Sequence, residues 1–222
     1  TTRLLPSSRY FPLRFHILHS LIRLISQTNT YIPLSPFLLE ILDSSEFKKS
    51  NPKKSSLKPL DFEYVIRAPA TYQKTRIYQE SLGEELVYLL GEYHASPHVI
   101  NSIAFPELSL PVIVMIKRHI KKGSAGSPKV VNGLKALVDK LEGQRTMVEN
   151  KRRGVGFAPR DRAEVGRFEE GLGEKEGPLG AWMRLQRKVR EAKRREVERA
   201  LREERVSEDE DDDEEEEDED DE

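Results

Sequence analysis

The sequence contains no cysteine, so no disulfide staples it and no thiolate can hold a metal in it. It also lacks an apolar run long enough for a bilayer. The densest stretch, residues 108–116, falls well short of the roughly 20 apolar residues that cross hydrocarbon, and residues 11–25 are interrupted by Arg14, His16, His19 and Arg23. The expectation is a chain with no transmembrane or secretory segment, and its cysteine-free composition fits a reducing compartment. Aromatic residues are scarce in the second half. Of 8 Phe, 7 Tyr and 1 Trp, only Phe157, Phe168 and Trp182 lie beyond Gly123, which places the packed core within residues 1–150 and makes the remainder an extension. The start at Thr1 without Met predicts a piece of a longer protein.

Catalytic constellations are missing as well. Among the 5 histidines, His16 and His19 share a helix flank without nearby carboxylates, Pro97 separates His94 from His98, and His119 lies among Lys117, Arg118, Lys121 and Lys122. Structural or solvated histidines explain this better than metal ligands do. Residues 123–127, Gly-Ser-Ala-Gly-Ser, lack the Gly-Lys-Ser/Thr ending of a phosphate-binding loop, and Gly154-Val155-Gly156 lacks the third glycine and preceding strand of a dinucleotide fingerprint. No enzyme activity, cofactor or metal is expected.

What the chain has is charge, on 34% of its residues, and that charge is polarised. The formal net value of −2 conceals a run, residues 208–222, in which all 15 positions are acidic. Without that run, 24 acidic residues face 37 basic ones, so a body of about +13 is joined to a tail of −15. Such a body suits a polyanionic partner such as nucleic acid. The tail has nothing apolar to bury, which predicts disorder over residues 207–222.

Periodicity supplies the helices. Phe11, Phe15, Leu18, Ile22 and Ile25 advance by alternating fours and threes, widened by Leu21 and Leu24, the mark of an amphipathic helix. After a Thr-Asn-Thr turn, Ser35 and Pro36 open a second helix through Leu42, and the two suggest an antiparallel hairpin. Residues 47–59 read as an exposed basic loop, either a solvated linker or a phosphate contact. Residues 61–66 fit a short strand or an extended link. A helix is predicted over residues 71–94, with Tyr78, Leu82, Leu86, Leu89, Leu90 and Tyr93 as its apolar face. Residues 107–122 leave almost no polar face before Lys117, so they predict a helix buried on most sides, bent or restarted at Pro111 and stopped by Gly123. Ser127 or Pro128 begins another helix through Leu141.

Residues 151–181, with Gly154, Gly156, Pro159, Gly166, Gly171, Gly173, Gly177 and Gly180, predict an irregular linker or anchor segment. Residues 182–206 predict a charged helix that stands alone or lies across a partner, supported by pairs such as Glu191 with Arg195 and Glu198 with Arg202. The RNA-contact candidates are therefore Lys48, Lys49, Lys53, Lys54 and Lys58 in the basic loop, Lys151, Arg152 and Arg153, and Lys193, Arg194 and Arg195 in the charged helix. Phe157 and Trp182, isolated aromatics in charged chain, are the candidate partner anchors.

Several strings in order resemble the nucleolar complex protein 2 family of ribosome assembly factors. They are Tyr10-Phe11-Pro12-Leu13-Arg14, the run from Ile32 to Glu40 (I-P-L-S-P-F-L-L-E), Leu57-Lys58-Pro59-Leu60-Asp61-Phe62, Arg67-Ala68-Pro69, Ile103-Ala104-Phe105-Pro106-Glu107-Leu108 and Phe157-Ala158-Pro159-Arg160-Asp161. The likeness covers the C-terminal part of the family's protein, from Tyr10 to about Gly180, and leaves the acidic tail outside. It implies an α-helical, repeat-like fold and a non-enzymatic role in assembling and exporting the large ribosomal subunit. Sister nucleolar complex proteins, pre-ribosomal proteins and rRNA are the implied partners, and the nucleolus and nucleus the implied place. It carries over no catalytic residue. The whole is thus expected to be all-α: HEAT-like α-solenoid hairpins, then a charged helical extension and a disordered acidic tail. A helical protein-interaction module without RNA binding is the alternative, its positive charge serving to balance its own tail.

Overall fold

The computed structural model describes residues 7–28, 30–48 and 53–219; beyond Ala200 the only side chain it describes is that of Arg202. Among these residues regular structure is helical, apart from one isolated bridge between Lys53 and Thr75, so the all-α expectation holds. The helices are α1 (Phe11–Thr28), α2 (Ser35–Leu42), α3 (Ser45–Lys48), α4 (Arg76–His94), α5 (Pro97–Ile100), α6 (Phe105–Lys121), α7 (Pro128–Arg152), α8 (Arg162–Gly173) and α9 (Pro178–Glu219). The chain divides into two compact units, Thr1–Met183 and Arg184–Glu222.

The first unit is organised around α4. Its buried residues, Tyr78, Leu82, Leu86, Val87, Leu89, Leu90 and Tyr93 among them, occupy most of the helix circumference, and α1, α2, α5 and α7 pack against it. The anticipated α1–α2 hairpin is therefore not the packing unit. Both helices pack against α4, and a polar contact joins them to each other: Arg14, buried and lying over the Phe11 ring, reaches Glu40 at 3.1 Å. On α1 the buried stripe is Phe11, Phe15, Leu18, Ile22 and Ile25, whereas Leu24 is exposed.

The start of α4 differs from the sequence reading by five residues. Residues 70–72 form a single 3-10 turn, Lys74 takes a positive φ of 66°, and the Thr75 side chain accepts the Tyr78 N–H as N-cap. The left-handed conformation disfavours a side chain such as lysine's. It is held by a buried knot in which the Lys74 N–H donates to Glu46 Oε2 at 3.1 Å, Ser8 Oγ donates to Glu46 Oε1 at 2.8 Å, and Gln79 donates to the Glu46 carbonyl at 2.7 Å. Residues 61–64 form a turn, not a strand, and the following link is strapped to α1 by Leu13 N–H to Ile66 O at 3.1 Å.

Where α4 crosses α7 the backbones approach closely at Gly83, and a Cβ there would collide with both γ carbons of Val130. Alanine at a helix interior is normally favoured over glycine by about 1 kcal/mol, yet forcing a methyl into a packed contact costs roughly 1–3 kcal/mol. Gly83→Ala is expected to be neutral to destabilising. A denaturation midpoint above that of the native chain would show that this contact is looser than described.

Two expectations about α6 need correction. Pro111 does not restart the helix, which runs continuously over Phe105–Lys121; it sits on the exposed side, where the carbonyl it leaves unbonded can be hydrated. Nor is α6 buried on most sides. Phe105, Val112, Ile113 and Ile116 face the core, while Leu110 and Val114 are exposed, because α2 and α7 cover one side of the helix.

The region expected to be an irregular linker over residues 151–181 holds a helix and is fastened to the core. Asp161 caps α8 through the Glu164 N–H, and Leu172 and Leu179 are buried. Glu169 Oε1 accepts from Ile103 N at 3.1 Å and from Ser102 Oγ at 3.3 Å. The local N-cap and these tertiary contacts outweigh glycine's poor propensity, which acts as a weak prior. Met183 is fully buried, so the first unit extends well past residue 150.

Taken by itself, the second unit is the charged part of α9. Its helix runs through the charged segment of residues 184–206 and is continuous to Glu219. Residues 220–222 lie outside the described residues.

Candidate nucleic-acid interface

The basic loop gathers at the N-terminus of α4. Lys53 N–H donates to Lys74 O at 2.9 Å and Arg76 N–H to Lys53 O at 3.0 Å, while Tyr72 Oη donates to Lys58 O at 3.0 Å. The loop is thus pinned at both ends, with Lys53, Lys54 and Lys58 exposed and Lys48 exposed at the end of α3. Lys49 lies outside the described residues. Two cations join this corner that the sequence reading missed, Lys74 and Arg76. Their proximity depends on the positive-φ turn, which a lysine does not announce. Arg76 also pairs with Glu80 at 2.8 Å. Partial burial would raise the Glu80 carboxyl, but the hydrogen bond from Arg76 and the charges of Arg76 and Lys129 outweigh it and hold the group below its usual range.

Of candidates 151–153, two make contacts with neighbouring helices at the surface. Lys151 Nζ donates to Gly171 O at 3.1 Å; Arg152 donates to both carboxylate oxygens of Glu107 at 2.8 Å and to Ile103 O at 3.2 Å. These contacts tie the end of α7 to α8 and to the start of α6. Arg153 is exposed. In the second unit Lys193 is exposed, Arg194 meets Glu198 at 3.1 Å and Arg195 meets Glu191 at 2.6 Å. Such exposed pairs hold only weakly and leave the guanidinium groups able to exchange partners.

The candidate anchors have contacts within the first unit. Trp182 is half-buried against the core, and Gly91 leaves it room, since a Cβ there would come within 2.9 Å of the indole. Phe157 stacks edge-on with Phe168 at 6.3 Å between ring centroids. A further basic group, outside the RNA-contact candidates, closes α6: Arg118, Lys121 and Lys122 are exposed, and Lys117 pairs with Glu142 at 2.6 Å across to α7.

The histidines are dispersed. His94 is buried between Tyr93 and Phe105; its Nδ1–H donates to Leu90 O at 2.8 Å, leaving Nε2 to accept from Ser35 Oγ at 3.5 Å. Burial pushes its pKa down to about 4. His119 joins α6 to the end of α2 through Asp43 at 3.4 Å. Among the described residues no cluster of three ligands suited to a metal occurs, and no helix is long and apolar enough to cross a membrane.

Comparison with known proteins adds the lineage. Residues 1–186 match the sequence profile of the Noc2p family. An uncharacterised NOC2 family protein of Schizosaccharomyces pombe is 40% identical over 199 residues, covering 90% of this chain and 27% of that protein. Nucleolar complex protein 2 of Drosophila melanogaster is 33% identical over 195 residues, 87% of this chain and 25% of that one. Nucleolar complex-associated protein 2 of Arabidopsis thaliana is 30% identical over 165 residues, 72% of this chain and 20% of that one. The chain thus spans about a quarter of the length of these relatives. The match runs through the α4-centred core and the α8 segment alike, and it stops near the point where the first unit ends. The chain belongs to the Noc2p family.

Proposed function

We propose that the chain acts in the nucleolus as a non-enzymatic assembly factor of the large (60S) ribosomal subunit, a protein- and rRNA-binding scaffold within a nucleolar complex. The observation that carries this reading is its membership of a family whose relatives bear the names nucleolar complex protein 2 and nucleolar complex-associated protein 2. The charge of the body supports the RNA part: cations fixed on a pinned loop neutralise phosphates without the entropic cost of ordering the loop first. The contacts we assign to RNA are Lys48, Lys53, Lys54, Lys58, Lys74, Arg153 and Lys193, with Lys49, Arg194 and Arg195 beside them. Lys151 and Arg152 serve the fold first. Sister nucleolar complex proteins and pre-ribosomal proteins are the protein partners, for which the half-exposed faces of Phe157 and Trp182 offer anchors. The helical body is suited to continue a HEAT-like stack in the longer protein.

The second reading, a protein-interaction module without RNA contacts, draws on the internal ion pairs of Arg152, Arg194 and Arg195. RNA binding separates the two. The acidic run, with nothing apolar to bury, folds back toward Lys193, Arg199 and Arg202 and competes with phosphate there. Deleting residues 208–222 should tighten non-specific RNA binding and steepen its salt dependence by about one unit of slope for every further phosphate neutralised. Equal affinity and slope with and without the run would remove the competition. No salt-sensitive binding by the shortened chain would favour the second reading.

A further inference from the structure

The exposed side of α6 carries two kinds of chemistry in succession. Leu110 and Val114, one turn apart, are 41% and 46% exposed, and Pro111 lies exposed beside them. One turn further on come Arg118, Lys121 and Lys122, all exposed and without an ion pair among the described residues. Positions 110, 114, 118 and 121 fall on one face at helical spacing. Isolated exposed leucines are ordinary, but this face sets consecutive apolar turns directly against unpaired cations on a helix whose other side is locked into the core through Ile113 and Ile116.

We propose that this face of α6 docks an acidic amphipathic helix of a partner protein, whose apolar side chains cover Leu110, Pro111 and Val114 and whose carboxylates meet Arg118, Lys121 and Lys122. Charge complementarity selects the acidic character, and the one-turn spacing of the apolar positions selects a helix laid along α6. An RNA backbone would use the cations but gain nothing from two exposed aliphatic turns, and the face has no aromatic ring on which a base could stack. The inference rests on the proposed role as a protein-binding scaffold and gives that role a surface and a partner chemistry.

The test places a photo-reactive benzophenone amino acid at position 114 of the whole protein in cells and sequences what it captures. The expected product is a segment of another protein with carboxylates within about two helical turns of the captured apolar residue. Combining Arg118→Glu with Lys121→Glu should lower its yield about ten-fold or more, the loss expected when close charge pairs become repulsive, while the cooperative thermal transition persists with only the small shift that losing two helix-dipole interactions brings. Capture of RNA, of a segment without carboxylates, of this chain itself or of nothing would overturn the proposal, as would a yield indifferent to charge reversal. Co-sedimentation of the native protein with precursor large-subunit particles, scored in the same cells, keeps the readings apart. Retained co-sedimentation without capture defeats the docking surface alone, whereas absent co-sedimentation defeats the assembly role.

Discussion

Ile113→Asp is expected to unfold the first unit. Ile113 is only 2% exposed, on the side of α6 that faces the core, and it belongs to the buried apolar cluster of the first unit. A carboxylate placed there loses its hydration with no cation to compensate, and the lost isoleucine leaves its neighbours unpacked. Each effect costs several kcal/mol, together comparable to the whole stability of a domain of this size. The comparison variant, with Lys121→Glu and Lys122→Glu on the exposed end of the same helix, loses a favourable dipole interaction of about 0.3–1 kcal/mol at each site. Thermal unfolding followed by circular dichroism should show no cooperative transition in the first and a small shift in the second. A native-like transition in Ile113→Asp would remove α6 from the core.

Acid is expected to weaken the fold through His94, and the direction follows from its burial. In the folded chain its pKa lies at about 4, below the value of about 6.5 for a free imidazole. As pH falls below that free value the unfolded chain takes up a proton that the folded chain refuses, so stability is fully present above pH 6.5 and drains away as pH falls toward 4. The difference amounts to about 3 kcal/mol. Glu80, held below its usual range, adds its loss only in the carboxylate range further down. Denaturant unfolding at a series of pH values should show this slope in the native chain and a flatter one in His94→Gln, which cannot take up the proton. Parallel slopes would place the pH dependence elsewhere.

How much of the fold is legible in the sequence varies with the kind of signal. Helices with strong periodicity or clear end signals, such as α1 with its Phe11 to Ile25 stripe and α7 with Ser127 and Pro128 at its start, begin where the sequence places them, although α7 runs on past Leu141 to Arg152. The partner of each apolar face is not written in its period: nothing in α1 or α2 says that α4, and not the other helix, covers it. The apolar density of residues 108–116 likewise hides that Leu110 and Val114 look outward, because a near-continuous run carries no face information. Glycine content argues against a helix over residues 162–173, but the Asp161 cap and the buried Leu172 decide locally what average propensity cannot. In the candidate interface, charge alone identifies Lys48, Lys53, Lys54 and Lys58. It cannot separate a cation facing solvent from Arg152, committed to Glu107, nor foresee that a positive-φ turn brings Lys74 beside Lys53.

Central to the proposed role is engagement of precursor rRNA by the basic surface of the α4 corner during assembly of the large subunit. The most direct measurement is ultraviolet cross-linking of the protein in cells, followed by identification of both the RNA sequence and the cross-linked peptide. Cross-links from peptides containing Lys53, Lys54, Lys58 and Lys74 to large-subunit precursor rRNA are the predicted result. Cross-links confined to other RNA classes, or absent from those peptides while the protein remains in its nucleolar complex, would contradict it.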